Sequence, residues 1–160
     1  MNPGNHLIAG LAKPYLIGAR LQIRRYVEAQ SLCKESSTLG VYLCMHEVSN
    51  LFEDLDMLAK YLERMVYEHP DHQLWFDCRR HIRHDLREQL DRVEERKTDR
   101  AKRLKIHKNL QMDIGFEADG LKVGQTPVKM YRVEAYLDWA DGVINDIFNE
   151  AIGKGLIKVS

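Results

Sequence analysis

The densest chemistry in the chain lies in CRRHIRHDLREQ, Cys78 to Gln89, where four arginines, two histidines and two carboxylates share twelve residues. A guanidinium fork binds phosphate through paired N–H donors. An imidazole titrating near neutrality takes up or releases a proton. The two side-chain types are therefore suited to holding a phosphate and moving a proton beside it. Wound on a helical period, Leu74, Trp75, Cys78, Ile82, Leu86, Leu90 and Val93 form one apolar stripe. Arg80, His84 and Glu88 stack one turn apart on the opposite face, with His81 and Asp85 beside them, while Arg79 falls at the edge of the stripe. The spacing predicts a cluster that faces solvent or a partner.

Arg79-Arg80-His81-Ile82-Arg83-His84 is an arginine, four residues and a histidine. This resembles the motif of the HEPN family, helical-bundle ribonucleases and nucleotide-binding proteins of bacterial toxin and defence systems. Their arginine and histidine have four to six residues between them, near the start of a late helix. The layout here is similar: two helices, a third bearing the motif, and a final helix. In that family the residue after the motif arginine is often Asn, Asp or His, and here it is Arg80. A register that starts at Arg80 places His81 there but brings His84 one residue too close. Some members carry a tyrosine two residues after the histidine; Leu86 stands at that position, so no regulation through it is expected.

The resemblance implies metal-independent cleavage of RNA, with Arg79 and His84 as catalytic residues. His84 would activate the ribose 2′-hydroxyl, and Arg79, or Arg80 in the other register, would hold the scissile phosphate. Arg80, His81, Arg83 and Arg87 would support phosphate binding along the RNA backbone. It further implies a homodimer in which two motif copies form one cleft, RNA or a nucleotide as ligand, an antitoxin as protein partner, and no cofactor. The Arg79–Glu88 face is expected near the two-fold axis, because an arginine-rich face opposite the core invites a partner.

Two other readings account for the same residues. In one, the charged helix is a solvated or partner-binding face of a non-catalytic interaction or nucleotide-binding module, laced by i,i+4 pairs. In the other, His46, Glu47 and Glu53 converge with His81, His84 and Asp85 on a metal, and His84-Asp85 is similar to the pair of HD-type phosphohydrolases. The chain lacks Glu-x-x-His, His-x-x-x-His and a second matching pair, and the histidines point away from the apolar stripe. No metal is expected.

These side chains need a scaffold. Leu16, Ala19, Ile23, Tyr26 and Val27 predict a helix from Tyr15 to about Leu32, with Pro14 in its first turn and residues 1–12 as a loose arm. Val41, Met45, Val48, Phe52, Leu55, Leu58, Leu62 and Met65 stripe a second, central helix over about 39–68. EHPDH breaks it, and a third helix starts near Asp71 and reaches toward His107, ending in a charged tail. At 110–123 the period switches to two around Asp119-Gly120, which predicts a β-hairpin. Thr126 as N-cap and Pro127 then open a last helix to about Ile152, closed by Gly153 and Gly155. The fold class is all-α: an up-down four-helix bundle with a small hairpin before the last helix, in one domain over 1–160.

The 24 basic and 24 acidic residues cancel, so whole-molecule attraction to nucleic acid or membrane is not expected. No apolar run approaches the roughly 20 residues of a membrane span, and no secretory leader is recognised. Cys33, Cys44 and Cys78 are odd in number and widely spaced, as in reduced thiols of a cytoplasmic protein.

Overall fold

The computed structural model describes Asn2 and residues 4–32, 37–85, 114–117 and 119–158. Among them the protein is mostly helical, with four helices and a small three-stranded antiparallel sheet before the last helix. The order is α1 (Asn5–Leu32), α2 (Ser37–Arg64), α3 (His72–Arg80) with a π-helical continuation over His81–Asp85, β1 (Ile114–Glu117), β2 (Gly120–Val123), β3 (Thr126–Lys129) and α4 (Met130–Gly153). The expected run of the third helix to His107 and the start of the hairpin at 110–113 lie outside the described residues.

The apolar stripes meet in one core. Leu16 and Tyr26 of α1, Phe52, Leu55, Leu58 and Leu62 of α2, Trp75 and Cys78 of α3, and Val133, Tyr136, Leu137 and Ile144 of α4 are buried together. α1 lies along α2, α4 docks on α1, and α3 docks on α2. Met45 is only half-buried; Cys44 takes the core position beside it.

Residues 5–12 belong to a helix rather than to a loose arm. α1 begins at Asn5, and Ala9 and Ala12 are fully buried. They continue the three- and four-residue spacing of Leu16 and Ala19 backwards with side chains small enough for close helix contact. The Asn5 amide also donates to the Met65 carbonyl at the end of α2, at 3.5 Å. Pro14 therefore sits inside the helix rather than in its first turn. A proline there removes one hydrogen bond and crowds the carbonyl four residues back. That carbonyl belongs to Gly10, and both residues are exposed, so the freed oxygen stays on the solvent side.

The expected hairpin is present and gains a third strand. β1 pairs with β2 through Phe116↔Leu121, and β2 pairs with β3 through Leu121↔Val128. Thr126 and Pro127 are thus strand residues, and α4 starts at Met130. The cause is Gly124, whose φ of 58° suits the first central position of a two-residue hairpin turn. Pro127 is tolerated because β3 is an edge strand. Gly120 is needed for close approach, since a Cβ there would overlap the Val128 carbonyl oxygen. The sheet is tied to α1 by the Tyr26 hydroxyl, which donates to the Gly120 carbonyl at 3.1 Å, and by the Gln30 amide, which donates to the Glu117 carbonyl at 2.9 Å.

α2 and α4 end in the same closure with different residues at its strained position. In α4, Leu156 N–H bonds the Ala151 carbonyl and Gly155 N–H that of Ile152, with Gly155 at φ 68°. In α2, Tyr67 N–H bonds the Leu62 carbonyl and Val66 N–H that of Glu63, with Val66 at φ 69°. Both are Schellman closures, which favour glycine at the left-handed position. A β-branched residue there costs about 1–2 kcal/mol, and Val66 recovers little by packing because it is 80% exposed. Val66→Gly is expected to stabilise the protein by about 1 kcal/mol, read as a higher urea midpoint with unchanged m-value; an unchanged or lower midpoint would remove the strain argument.

Gly18 brings α1 so close to α2 that a Cβ there would overlap Asp54 Oδ2. Burial first, then repulsion from Glu53, pushes the Asp54 carboxyl up from 3.8 to about 6. Between those values the folded chain holds a proton that the unfolded chain releases. The stabilising contribution is complete below the lower value and is lost as pH rises through about 6. At pH 7 an ionised Asp54 therefore destabilises the α1–α2 contact. Asp54→Asn is expected to add about 1–2 kcal/mol at pH 7, discounted for partial solvation, and nothing at about pH 4. Thermal melts of both proteins across that range test this; a gain independent of pH would refute it.

Candidate functional site

The Arg/His run is anchored by its first member. Arg79 donates from Nε to Glu53 Oε2 at 2.8 Å and from Nη2 to Oε1 at 3.2 Å, and its Nη1 lies 3.1 Å from Asp56 Oδ2. Arg83 Nη2 reaches the same Glu53 Oε2 at 2.8 Å, and Lys60 Nζ reaches Asp56 Oδ2 at 2.6 Å. Spacing makes this possible: positions 53, 56 and 60 share one face of α2, while 79 and 83 are one turn apart on the helical run from α3. Asp56 is buried, and Arg79 and Glu53 are about three-quarters covered. The bonds to Glu53 raise the Arg79 pKa despite its burial. With all three guanidinium nitrogens on carboxylates, Arg79 faces α2 and has little capacity left for a phosphate.

The other expected residues are placed differently. Arg80 is exposed on the last turn of α3. Arg83 is exposed too, with one nitrogen on Glu53. His81 is half-buried against the β2–β3 turn, where a Cβ on Gly124 would lie 2.9 Å from His81 Cε1. Arg87 lies outside the described residues, as does the side chain of His84. The structure thus joins Arg79 and Arg83 at Glu53, leaves Arg80 outward, and seats His81 against the sheet. The π-helical turn over His81–Asp85 adds a residue to the repeat within this run, a distortion frequent at functional sites.

A cleft of about 400 Å³ opens between α3 and the β2–β3 turn, bordered by Asp77, His81, Gln125 and Thr126 with Cys78 and Val123 at its floor. Its volume suits a small organic ligand. Burial, with Asp77 adding to it, pushes the Cys78 thiol up to about 12, so it is not a nucleophile at neutral pH. Cys44 is also buried and not in a disulfide, and Cys33 lies outside the described residues.

A second polar group lies apart from the Arg/His run. EHPDH reads only as a helix break, yet its two histidines join Trp75, Tyr136 and Trp139 in one aromatic cluster between α3 and α4. Asp71 N–H donates to His69 Nδ1 at 3.1 Å, and Arg132 of α4 holds the buried Asp71 carboxylate with two nitrogens. His72 Nδ1 lies 3.4 Å from Glu63 Oε1. Burial lowers the His72 pKa, against the opposing pull of Glu63, and burial raises that of Tyr136. The only signal in the sequence was the spacing of two histidines around Pro70-Asp71.

His46 is exposed and contacts its own helix neighbours Glu47 and Asn50, while Glu53 is occupied by arginines. Among the described residues no three histidine, cysteine or acidic side chains are grouped to hold a metal ion. No helix among them is long and apolar enough to cross a membrane. Comparison with protein-family models, curated proteins and solved structures finds no match for this chain.

Proposed function

We propose that the chain is an HEPN-like protein, an up-down four-helix bundle of the cytoplasm that binds RNA or a nucleotide along α3 and cleaves RNA without a metal. It acts as a homodimer in a toxin or defence system, with an antitoxin as its protein partner. The observation that carries this reading is the division of labour in the run: Arg79 is locked to Glu53 and Asp56, while its neighbour Arg80 is exposed. Arg79 is then a positioning residue that fixes α3 on α2. Arg80, in the alternative register, holds the scissile phosphate, His84 moves the proton, and the cleft beside His81 receives a base.

A second reading, a non-catalytic interaction or nucleotide-binding module, is favoured by the same saturation of Arg79, which removes one of the two residues the motif would use. Purified protein incubated with mixed-sequence RNA in EDTA separates them. Cleavage that leaves 2′,3′-cyclic phosphate ends and is slowed in Arg80→Ala supports the ribonuclease. Salt-dependent binding of RNA or nucleotide without cleavage supports the module. Neither cleavage nor binding sinks both.

A further inference from the structure

α1 carries an apolar face that the described residues do not cover. Leu7, Leu11, Ile17 and Leu21 are 67, 59, 58 and 42% exposed, although Ala9, Ala12, Leu16 and Ala19 of the same helix are buried. At 3.6 residues per turn these four fall with Pro14 in one band on the outer side of α1. Between Leu7 and Leu21 charges stay at its edge, where Lys13 and Arg20 are paired with Asp141 at 2.6 Å and Asp138 at 2.9 Å on α4, and exposed Arg25 ends the band one turn beyond Leu21. Gly10 lies within the band and has nothing within 4 Å of its Cβ position, which leaves room for a second backbone. A contiguous row of this kind is unusual on a monomer and marks an interface.

The order of the residues says what fits it. Leu7 and Leu21 lie seven residues on either side of Pro14, and Leu11 and Ile17 lie three on either side. A two-fold contact requires a surface complementary to itself. An antiparallel helix pair centred on Pro14 sets Leu7 against Leu21 and Leu11 against Ile17, at the three- and four-residue steps of a helix seam. The row is about 21 Å long at 1.5 Å per residue and about one helix diameter wide. Two such faces with their flanks bury on the order of 1,000 Å², the lower bound for a stable contact. We propose that α1 binds α1 of a second copy of this chain, antiparallel, about a two-fold axis at Pro14. This contact differs from the one the ribonuclease reading implies, which sets the Arg79–Glu88 face at the two-fold axis, and it leaves α3 open.

Sedimentation velocity at tens of micromolar, about the range in which a modest interface associates, tests it on the full chain. Wild type should sediment as a dimer. Leu11→Glu should weaken association at least tenfold with an unchanged circular dichroism spectrum, since the side chain is outside the core. In a Cys33→Ser background, a short bis-maleimide should link a mixture of Leu11→Cys and Ile17→Cys chains better than either alone, because only the mixture places the two thiols opposite each other. A monomeric wild type, a dimer indifferent to Leu11→Glu, or equal cross-linking in all three samples would overturn the proposal. So would a dimer broken by Arg80→Glu and kept by Leu11→Glu, which would put the contact on α3.

Discussion

Arg79→Ala should destabilise the protein by about 2–3 kcal/mol, far more than an exposed arginine on a charged helix would. Breaking a buried pair by removing one partner costs about 3–5 kcal/mol, because the other charge is left without compensation. The value here is lower for two reasons. Arg79 and Glu53 keep 24% and 29% of their side-chain exposure, and Asp56 retains Lys60. Asp56 is the costly member, with 2% exposure and one cation fewer. Arg79→Lys keeps the charge but not the fork, so it should recover only part of the loss. Urea unfolding reads the effect directly, and a double-mutant cycle with Glu53→Gln isolates the pairwise part. A loss below about 0.5 kcal/mol, the scale of surface pairs, would mean that the network contributes nothing to docking α3. If Arg79 is a positioning residue, Arg79→Lys should keep RNA cleavage close to wild type while melting earlier; parallel loss of both would return the phosphate role to Arg79.

The helical period carried most of the fold. Val48, Phe52, Leu55 and Leu62 of α2, and Val133, Tyr136, Leu137 and Ile144 of α4, lie inward as their spacing predicts. The differences share one cause: tertiary contacts override local signals. Pro14 looks like a helix start because proline suits a first turn, but buried Ala9 and Ala12 carry α1 through it. Thr126-Pro127 looks like a cap and first helical residue, but pairing with Lys122 and Val123 holds both in a strand. In the site, spacing placed Arg80 outward and Arg79 at the edge of the core stripe, and both positions hold. It could not show that Glu53 and Asp56 wait there, because carboxylates 26 and 23 positions earlier in the sequence meet Arg79 only once α3 docks on α2. The His69–His72 cluster was hidden for the same reason: its partners Tyr136, Trp139 and Arg132 come from the far end of the chain.

His84→Ala should abolish RNA cleavage, with a loss of at least about 100-fold, the lower range for removing a positioned general acid or base. Its fold should be retained, read as a circular dichroism spectrum and melting curve matching wild type, so that the loss reports chemistry. The chemistry without a metal fixes the companion results. The ribose 2′-hydroxyl oxygen attacks the adjacent phosphorus as a base takes its proton, the bond to the 5′-oxygen breaks, and that oxygen takes a proton as it leaves. The products are a 2′,3′-cyclic phosphate and a 5′-hydroxyl, and no water molecule is consumed. Cleavage should therefore persist in EDTA and show a pH dependence with an inflection in the histidine range, which His84→Ala removes. Arg80→Ala should lower the rate without moving that inflection, since a guanidinium does not titrate near neutrality. A metal-bound mechanism predicts the reverse pattern: chelation stops the reaction, and His46 or Asp85 matters as much as His84. Cleavage that survives His84→Ala unchanged would place the proton-transfer group elsewhere in the chain, whereas binding of RNA with no cleavage by the wild type would leave Arg80 and Arg83 as the binding cations of a non-catalytic module.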